Sequence, residues 1–241
     1  LNTVSKAPVR LYMLQLALGT EGTPVPGYLI QTGNGKNILI DTGVPLDGSF
    51  KPNSGESPQI FSVVEQLATL GLTPADIDIL ICTHFDPDHA GNHDAFPTAE
   101  LVVQRAHYEF ALASDSPRFN LTRAHWNHPS LRYRIVDGDT QLLPGVELIE
   151  TSGHVPGHQA VLVRLPETGP VLLAIDAAAM ESDLNPETRE YENGVDLDPA
   201  QALASARKLF QLVQREGVTL TVFGHDEKRW PELKKAPEYY S

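Results

Sequence analysis

In the first third of the chain, apolar and polar positions alternate with the period of half-buried strands. Residues 10–18, 27–32 and 37–41 read as three strands, and Gly33-Asn34-Gly35 makes a tight turn between the second and third, so a meander of antiparallel strands is expected. Residues 44–57, rich in Pro, Gly and Ser, read as a loop. A helical period follows, with Ile60, Phe61, Val64, Leu67 and Ala68 on one face, Ser57 as expected N-cap, Pro58 in the first turn and Gly71 as the stop. Thr73-Pro74-Ala75-Asp76 has the form of a capping box for a single turn. The apolar run at 77–82 predicts a buried strand, residues 100–104 another, and residues 105–113 a short helix.

Residues 114–134 carry Arg118, Arg123, Arg132 and Arg134 with Phe119, His125, Trp126, His128 and Tyr133, and have no clean period. They read as a long, partly helical excursion. Such segments border binding sites about as often as they simply cover a surface, which makes this a candidate substrate rim. Strands resume at 133–136, 146–151, 159–165 and 171–176, and the acidic stretch 181–198 reads as a loop. Asp198 then caps a helix with Pro199 in its first turn and Leu203, Ala206, Leu209, Phe210 and Val213 as its apolar positions, ended by Gly217. A last strand spans 218–223. Both halves run strands first and helix later, so the expectation is one domain over residues 1–241 with sheet stacked on sheet and helices outside.

Composition narrows the function. With 241 residues, 41% hydrophobic and 20% charged, the chain can bury a sizeable core. The net charge of −13 disfavours nucleic acid and anionic membrane, which both need a positive footprint. No apolar run approaches a bilayer span and residues 1–30 lack a leader pattern, so a cytoplasmic location is expected. Cys82 is the single cysteine, so internal disulfides and multi-cysteine zinc sites are excluded. Inside an apolar strand it reads as a core residue rather than a nucleophile.

One stretch stands apart. Residues 83–92, THFDPDHAGN, place two histidines and two aspartates directly after a buried strand. Buried carboxylates and imidazoles are costly unless paired or bound to a cation, so this density argues for metal. His84 and Asp86 alternate at strand spacing, and Asp88 and His89 follow around a turn stiffened by Pro87. Further along, His154, Asp176 and His225 each lie just past the end of an expected strand. If those ends share one edge, seven donors meet, enough for two metal ions sharing one carboxylate. His158 reads as a residue that stabilises its turn or orients a ligand, and His93 and His107 as structural. The Gly-Asn-Gly turn lacks the lysine and following helix of a phosphate loop.

The THFDPDHAGN stretch resembles the metal-binding signature of the metallo-β-lactamase superfamily. ILIDTG at 38–43, GHVPGHQ at 153–159, Asp176 and Gly224-His225-Asp226 are similar to it in order along nearly the whole chain. Residues 25–30 running into ILIDTG, IDAA at 175–178 and the ending GHDEKRWPELKKAPEYY resemble the N-acyl homoserine lactonase branch. The resemblance implies an αββα sandwich of two mainly antiparallel sheets. It implies one metal held by His84, Asp86 and His154, a second held by Asp88, His89 and His225, and Asp176 bridging them. Zinc and a bridging hydroxide are implied with them, and the hydroxide would attack a lactone carbonyl with Asp88 orienting it.

Two positions depart from that pattern. The family has histidine where this chain has Asp86. The added negative charge lowers the formal charge of a two-zinc site from about +1 to about 0, so a less acidic bound water and a shift toward manganese or iron are expected. The branch also carries a tyrosine three residues after the bridging aspartate, where this chain has Ala179. Either Tyr191 or His125 then supplies the missing donor, with Trp126 joining them in contacting substrate, or the substrate differs from that of the branch. The leading expectation is a lactone-opening hydrolase acting on a small molecule, with a dimer allowed. The alternatives are another ester or thioester hydrolase of the superfamily and a non-catalytic metal-binding protein of the same fold.

Overall fold

In the computed structural model, which describes residues 7–19, 21–50, 58–189 and 195–241, the expected meander forms. β1 (Pro8–Leu18), β2 (Pro24–Thr32) and β3 (Asn37–Ile40) pair antiparallel in sequence order. Gln59 and Ile60 do not start a helix but form β4 (Gln59–Ile60) against Ala17 and Leu18 of β1. The open backbone groups of that edge recruit them, and Phe61 N–H continues the contact to Leu16 O at 2.9 Å. The helix, α1 (Val63–Thr69), starts where the Ser62 hydroxyl accepts Glu65 N–H, and the expected cap Ser57 lies outside the described residues.

A single 3-10 turn, Pro74–Asp76, follows, with the Asp76 carboxylate accepting both the N–H and the hydroxyl of Thr73 at 2.7 Å. β5 (Ile79–Ile81), β6 (Glu100–Gln104), α2 (Arg105–Ala113), α3 (Pro117–Asn120), α4 (Arg123–Trp126) and β7 (Arg132–Val136) come next. β3, β5, β6 and β7 pair in parallel, so the larger sheet, β4-β1-β2-β3-β5-β6-β7, is mixed rather than mainly antiparallel. Parallel neighbours need crossover connections, and the helical excursion at 114–134 is part of one.

The smaller sheet contains β8 (Thr140–Leu143), β9 (Val146–Glu150), β10 (Gln159–Leu165) and β11 (Gly169–Ile175), paired antiparallel. β8 has no counterpart in the sequence reading, because its four residues are too few to show a period. α5 (Glu181–Leu184) is a single turn inside the stretch read as loop, α6 (Pro199–Glu216) follows, and β12 (Leu220–Phe223) adds in parallel to β11.

The layers follow from which faces are apolar. Leu11, Met13, Ile38 and Ile40 of the larger sheet meet Val161, Val163, Leu173 and Ile175 of the smaller one between the sheets. The opposite face of the larger sheet, through Leu14, Leu39, Leu80 and Leu101, packs under α1, α2 and the α3–α4 region, with Phe119 and Trp126 fully buried there. That of the smaller sheet packs under Leu209 and Leu212 of α6. Sheets covered on both sides read as continuous apolar runs, as 77–82 does for β5, whereas β1, β2 and β3, expected as half-buried alternating strands, are buried on both faces.

α6 has the expected ends: Asp198 accepts the N–H groups of Ala200 and Gln201 at 3.1 and 3.0 Å, and Gly217 closes it with φ 60°. Its buried face is rotated from the expected one. Ala202, Ser205, Ala206, Leu209 and Leu212 are buried, whereas Leu203, Phe210 and Val213 are only partly so. Small residues win because the helix presses on the loop at Ser152-Gly153, where Ser205 Oγ donates to Ser152 O at 2.6 Å. Among the described residues no helix is long and apolar enough to cross a membrane.

Candidate metal centre

Strand direction decides where the donor residues go. β3 and β5 run parallel, as do β11 and β12, and β9 and β11 share a direction because both oppose β10. Asp41 leaves β3, residues 83–89 leave β5, His154 follows β9, Asp176 follows β11 and His225 follows β12. The strand β5 ends at Ile81, so His84 and Asp86 sit not on a strand but on an irregular segment, closed by His89 and Ala90 N–H donating to Asp86 O at 3.0 Å. Two non-glycine residues here take the left-handed backbone, Asp41 (φ 58°) and Ile175 (φ 53°). For a β-branched residue this costs on the order of 1–3 kcal/mol, and it turns the chain out of β11 so that Asp176 faces the cluster. Gly224 is required beside it, since a Cβ there would come within 2.6 Å of Asp176 Oδ1.

Two groups of donors result: His84, Asp86, His154 and Asp176, all buried, and Asp88, His89 and His225. Within the first, His84 Nε2 is 3.4 Å from Asp86 Oδ2 and 3.5 Å from Asp176 Oδ2, and His154 Nε2 is 3.1 and 3.4 Å from the same two oxygens. Within the second, Asp88 Oδ2 is 3.6 Å from both His89 Nε2 and His225 Nε2. Asp176 reaches this group too, at 3.5 Å from His89 and 3.3 Å from His225. Donors about 2.0–2.2 Å from a tetrahedral cation are separated by roughly 3.3–3.6 Å, so the spacing fits cations better than hydrogen bonds among the donors themselves. Buried His84 Nε2, His89 Nε2 and Asp176 Oδ1 have no hydrogen-bond partner, consistent with a centre built for ions.

Each imidazole is oriented from behind. Thr83 Oγ1 donates to Asp41 Oδ2 at 2.6 Å and so accepts from His84 Nδ1 at 3.0 Å. His89 Nδ1 faces Asp41 Oδ2 at 2.8 Å, His225 Nδ1 donates to Pro24 O at 2.9 Å, and His154 Nδ1 faces Asp196 Oδ1 at 3.3 Å. With every Nδ1 committed, the four Nε2 atoms point inward, the tautomer a cation requires. Asp196 is itself held by Arg189 at 3.0 Å. His107 ties two site loops together, accepting Phe85 N–H on Nε2 at 2.7 Å and donating from Nδ1 to Pro156 O at 2.9 Å.

The electrostatics are those of a cation site. Burial opposes a proton on His225, but the Asp176 and Asp88 carboxylates outweigh it and lift the imidazole to about 9. His89 is raised well above its ordinary value against burial, by Asp176 and Asp88. Burial works against ionising Asp176 and Asp86, yet both fall well below the usual carboxylate range, Asp176 chiefly through His225 and His89, Asp86 chiefly through His84. His154 is drawn up to about 9 by Asp196 and Asp86 against burial, whereas its 2.6 Å contact with an Arg118 nitrogen needs a free lone pair on Nε2. The contact is the tighter constraint and favours a neutral imidazole with Nδ1–H toward Asp196, and a cation on Nε2 would take the lone pair that the Arg118 nitrogen uses here.

Arg118, singled out in the sequence only as one of several arginines in the excursion, turns out to be central. Its Nε and Nη2 grip Asp86 Oδ1 and Oδ2 at 2.6 and 2.5 Å. Asp86, Asp88, Arg118, His154, Asp176 and His225 line a cavity of about 800 Å³, with Ala179, Met180 and Val195 also on its walls.

The expected substrate contacts fare differently. Trp126 is fully buried, stacks on Phe85 at 4.3 Å and donates to Phe119 O, so it is a core residue that does not line the cavity. His125 also stays outside the cavity lining, with Nδ1 2.9 Å from Asp94 Oδ1. Tyr191 lies outside the described residues. Cys82 is buried with its thiol pushed up by burial and donating to His84 O. His158 pairs with Thr151 Oγ1 at 2.8 Å, and burial holds it neutral. His93 meets Thr42 Oγ1 at 2.8 Å.

Comparison with known proteins agrees with this geometry. A model of the metallo-beta-lactamase superfamily matches residues 20–225. An N-acyl homoserine lactonase of a Bacillus species is 34% identical over 233 residues, covering 90% of this chain and 86% of the relative. N-acyl homoserine lactonase AttM of Azorhizobium caulinodans is 33% identical over 234 residues, covering 90% and 87%. A solved N-acyl homoserine lactone hydrolase, with the product N-hexanoyl-L-homoserine bound at its catalytic metal centre, superposes with a TM-score of 0.83 at 30% identity, covering 97% of this chain and all of that one.

Proposed function

The chain belongs to the metallo-β-lactamase superfamily, and from that premise we propose that it is a metal-dependent hydrolase that opens the ring of an N-acyl homoserine lactone or a related lactone. The observation that carries the reading is the convergence of seven donor residues in two groups joined by Asp176, with Asp86, Asp88, His154, Asp176 and His225 lining one cavity. His84, Asp86 and His154 would hold one divalent ion, Asp88, His89 and His225 a second, and Asp176 would serve both. Zinc is the ion we assign, since imidazole and carboxylate at these spacings suit it. Bound there, two such ions would make a water acidic enough to attack near neutral pH and would polarise the lactone carbonyl.

The protein groups do the rest. Asp88, a quarter exposed, lines the cavity and would accept a hydrogen bond from the attacking water and turn its oxygen toward the carbonyl carbon. The new C–O bond forms as the bond to the ring oxygen breaks, and that oxygen takes the proton and leaves as a hydroxyl, still tethered to the product carboxylic acid. Met180 and Val195, both partly exposed on the cavity wall, offer apolar surface to an acyl chain. Ala179 leaves the wall without the branch's tyrosine hydroxyl, so orientation of the carbonyl falls to the metal end of the cavity.

The test is elemental analysis of protein purified without added metal, combined with proton release from a panel of lactones and one thioester. About two divalent ions per chain and lactone turnover are expected. No lactone turnover after zinc, manganese or iron is restored would sink the proposal.

A further inference from the structure

We propose that Arg118 is a positioning residue of the metal centre: it offsets the negative charge that Asp86 introduces, so that Asp86 and Arg118 together act as one neutral ligand where the family has an imidazole. This rests on the metal-centre reading above. The geometry is a two-pronged grip, with Arg118 Nε on Asp86 Oδ1 at 2.6 Å and Nη2 on Oδ2 at 2.5 Å, while Oδ2 also stays within 3.4 Å of His84 Nε2 and 3.1 Å of His154 Nε2. The carboxylate therefore faces the donor cluster and the guanidinium at once. A fork of this kind fixes the carboxylate plane as well as its charge.

The arginine is held for this task. α3 is initiated by Ser116, whose hydroxyl accepts Arg118 N–H, and by Pro117, and the next residue, Phe119, anchors the turn in the core. From the far side Nη1 donates to Val195 O at 3.0 Å. The charged groups around the guanidinium are Asp86, Asp88 and Asp176, with His154 in contact and the paired Arg189 and Asp196 beyond it. A solvated surface arginine would have none of this, and only 19% of the Arg118 side chain is exposed. The added charge of Asp86, which by itself favours a less acidic water and harder metals, is thereby cancelled, and zinc chemistry at ordinary pH is retained.

Charge compensation makes two readouts move in opposite senses. Removing a positive charge beside the centre should tighten cation binding and make the attacking water less acidic. The experiment measures zinc affinity by chelator competition, and the pH at half-maximal kcat for lactone opening, in the unaltered protein and in Arg118→Met, Arg118→Lys, Asp86→His and the Asp86→His/Arg118→Met pair. Arg118→Met is expected to bind zinc about tenfold tighter and to shift the midpoint up by about one pH unit. Arg118→Lys, which keeps the charge, should stay near the unaltered protein in both. Asp86→His should move the midpoint down, and adding Arg118→Met should return it.

Weaker zinc binding in Arg118→Met with an unmoved midpoint would mark the arginine as a mere structural prop and overturn the inference. Two ions, lactone turnover and no effect of Arg118→Met on either readout would overturn it while leaving the proposed function standing. Failure of the unaltered protein to bind zinc would overturn both. Should Arg118→Met not fold, Arg118→Gln, which keeps hydrogen bonds without charge, carries the same test.

Discussion

The Asp41 carboxylate lies 2.8 Å from Nδ1 of His89, and the same oxygen accepts the Thr83 hydroxyl at 2.6 Å while its other oxygen accepts Thr83 N–H at 2.9 Å. One buried residue at the end of β3 therefore orients ligand candidates of both donor groups, His89 directly and His84 through Thr83. Asp41→Asn tolerates the left-handed backbone but loses the charge. It is expected to weaken metal affinity by about 10–100-fold with a small change in melting temperature. Asp41→Ala should in addition strand buried Thr83 N–H and destabilise by about 1–3 kcal/mol. Chelator competition and thermal melts of the two variants separate the effects, and unchanged metal affinity in both would refute the role.

His107 should be felt as acid sensitivity. Burial pushes this imidazole down to about 3 and His93 down to about 4, against an unfolded value near 6.5. Both stay neutral in the fold while the unfolded chain takes up protons, so stability is constant above about pH 6.5 and is lost as pH falls from there toward 3–4. His107→Phe keeps the volume but leaves Phe85 N–H and Pro156 O unpaired. A loss of about 2 kcal/mol near pH 7 and a shallower acid slope are expected, measured by urea unfolding between pH 4 and 8.

Metal loading should release protons. His89 and His225 sit above neutrality in the metal-free protein, His225 at about 9, so each carries a proton near pH 7.5 that a cation must displace. Apparent affinity should rise with pH from neutrality through the range where His225 titrates, at about 9. Calorimetric titration with zinc in buffers of different ionisation enthalpy counts the protons, and a count of zero would show that the imidazoles are already neutral.

Gly153 tests how tightly α6 presses on the site. Its φ is 141°, and a Cβ there would lie 2.1 Å from Ala202 N and 2.3 Å from Ala202 Cα, both backbone. Neither neighbour can move without shifting the helix. Gly153→Ala should cost at least about 2–3 kcal/mol and displace His154, with loss of bound metal preceding global unfolding in a thermal scan that follows metal content. Coincident loss would show that the loop and the fold are one unit.

Much of this was written locally in the chain. The caps of α6, the buried strands and the cluster of His84, Asp86, Asp88 and His89 follow from side-chain chemistry at short spacing, whereas His154, Asp176 and His225 were legible only as residues past expected strand ends and through the family resemblance. The Ser57 start for α1 failed because a sheet edge, not a local signal, claimed Gln59 and Ile60. The face of α6 was misjudged because a close approach to Gly153 selects Ala202 and Ser205 over the bulkier Leu203 and Phe210.

By itself, then, the sequence determined which chemistry the chain is able to perform: a cysteine-free set of imidazoles and carboxylates, too dense to bury without a cation, placed after strands. Only the tertiary structure decided how that chemistry is tuned. Asp41 meets His89 across 48 positions, Arg118 meets Asp86 across 32, and Asp196 meets His154 across 42. Such pairings have no period and no local signal. They come into being when two packed sheets bring distant strand ends to one edge, where low solvent access makes each unpaired charge expensive and each partner decisive.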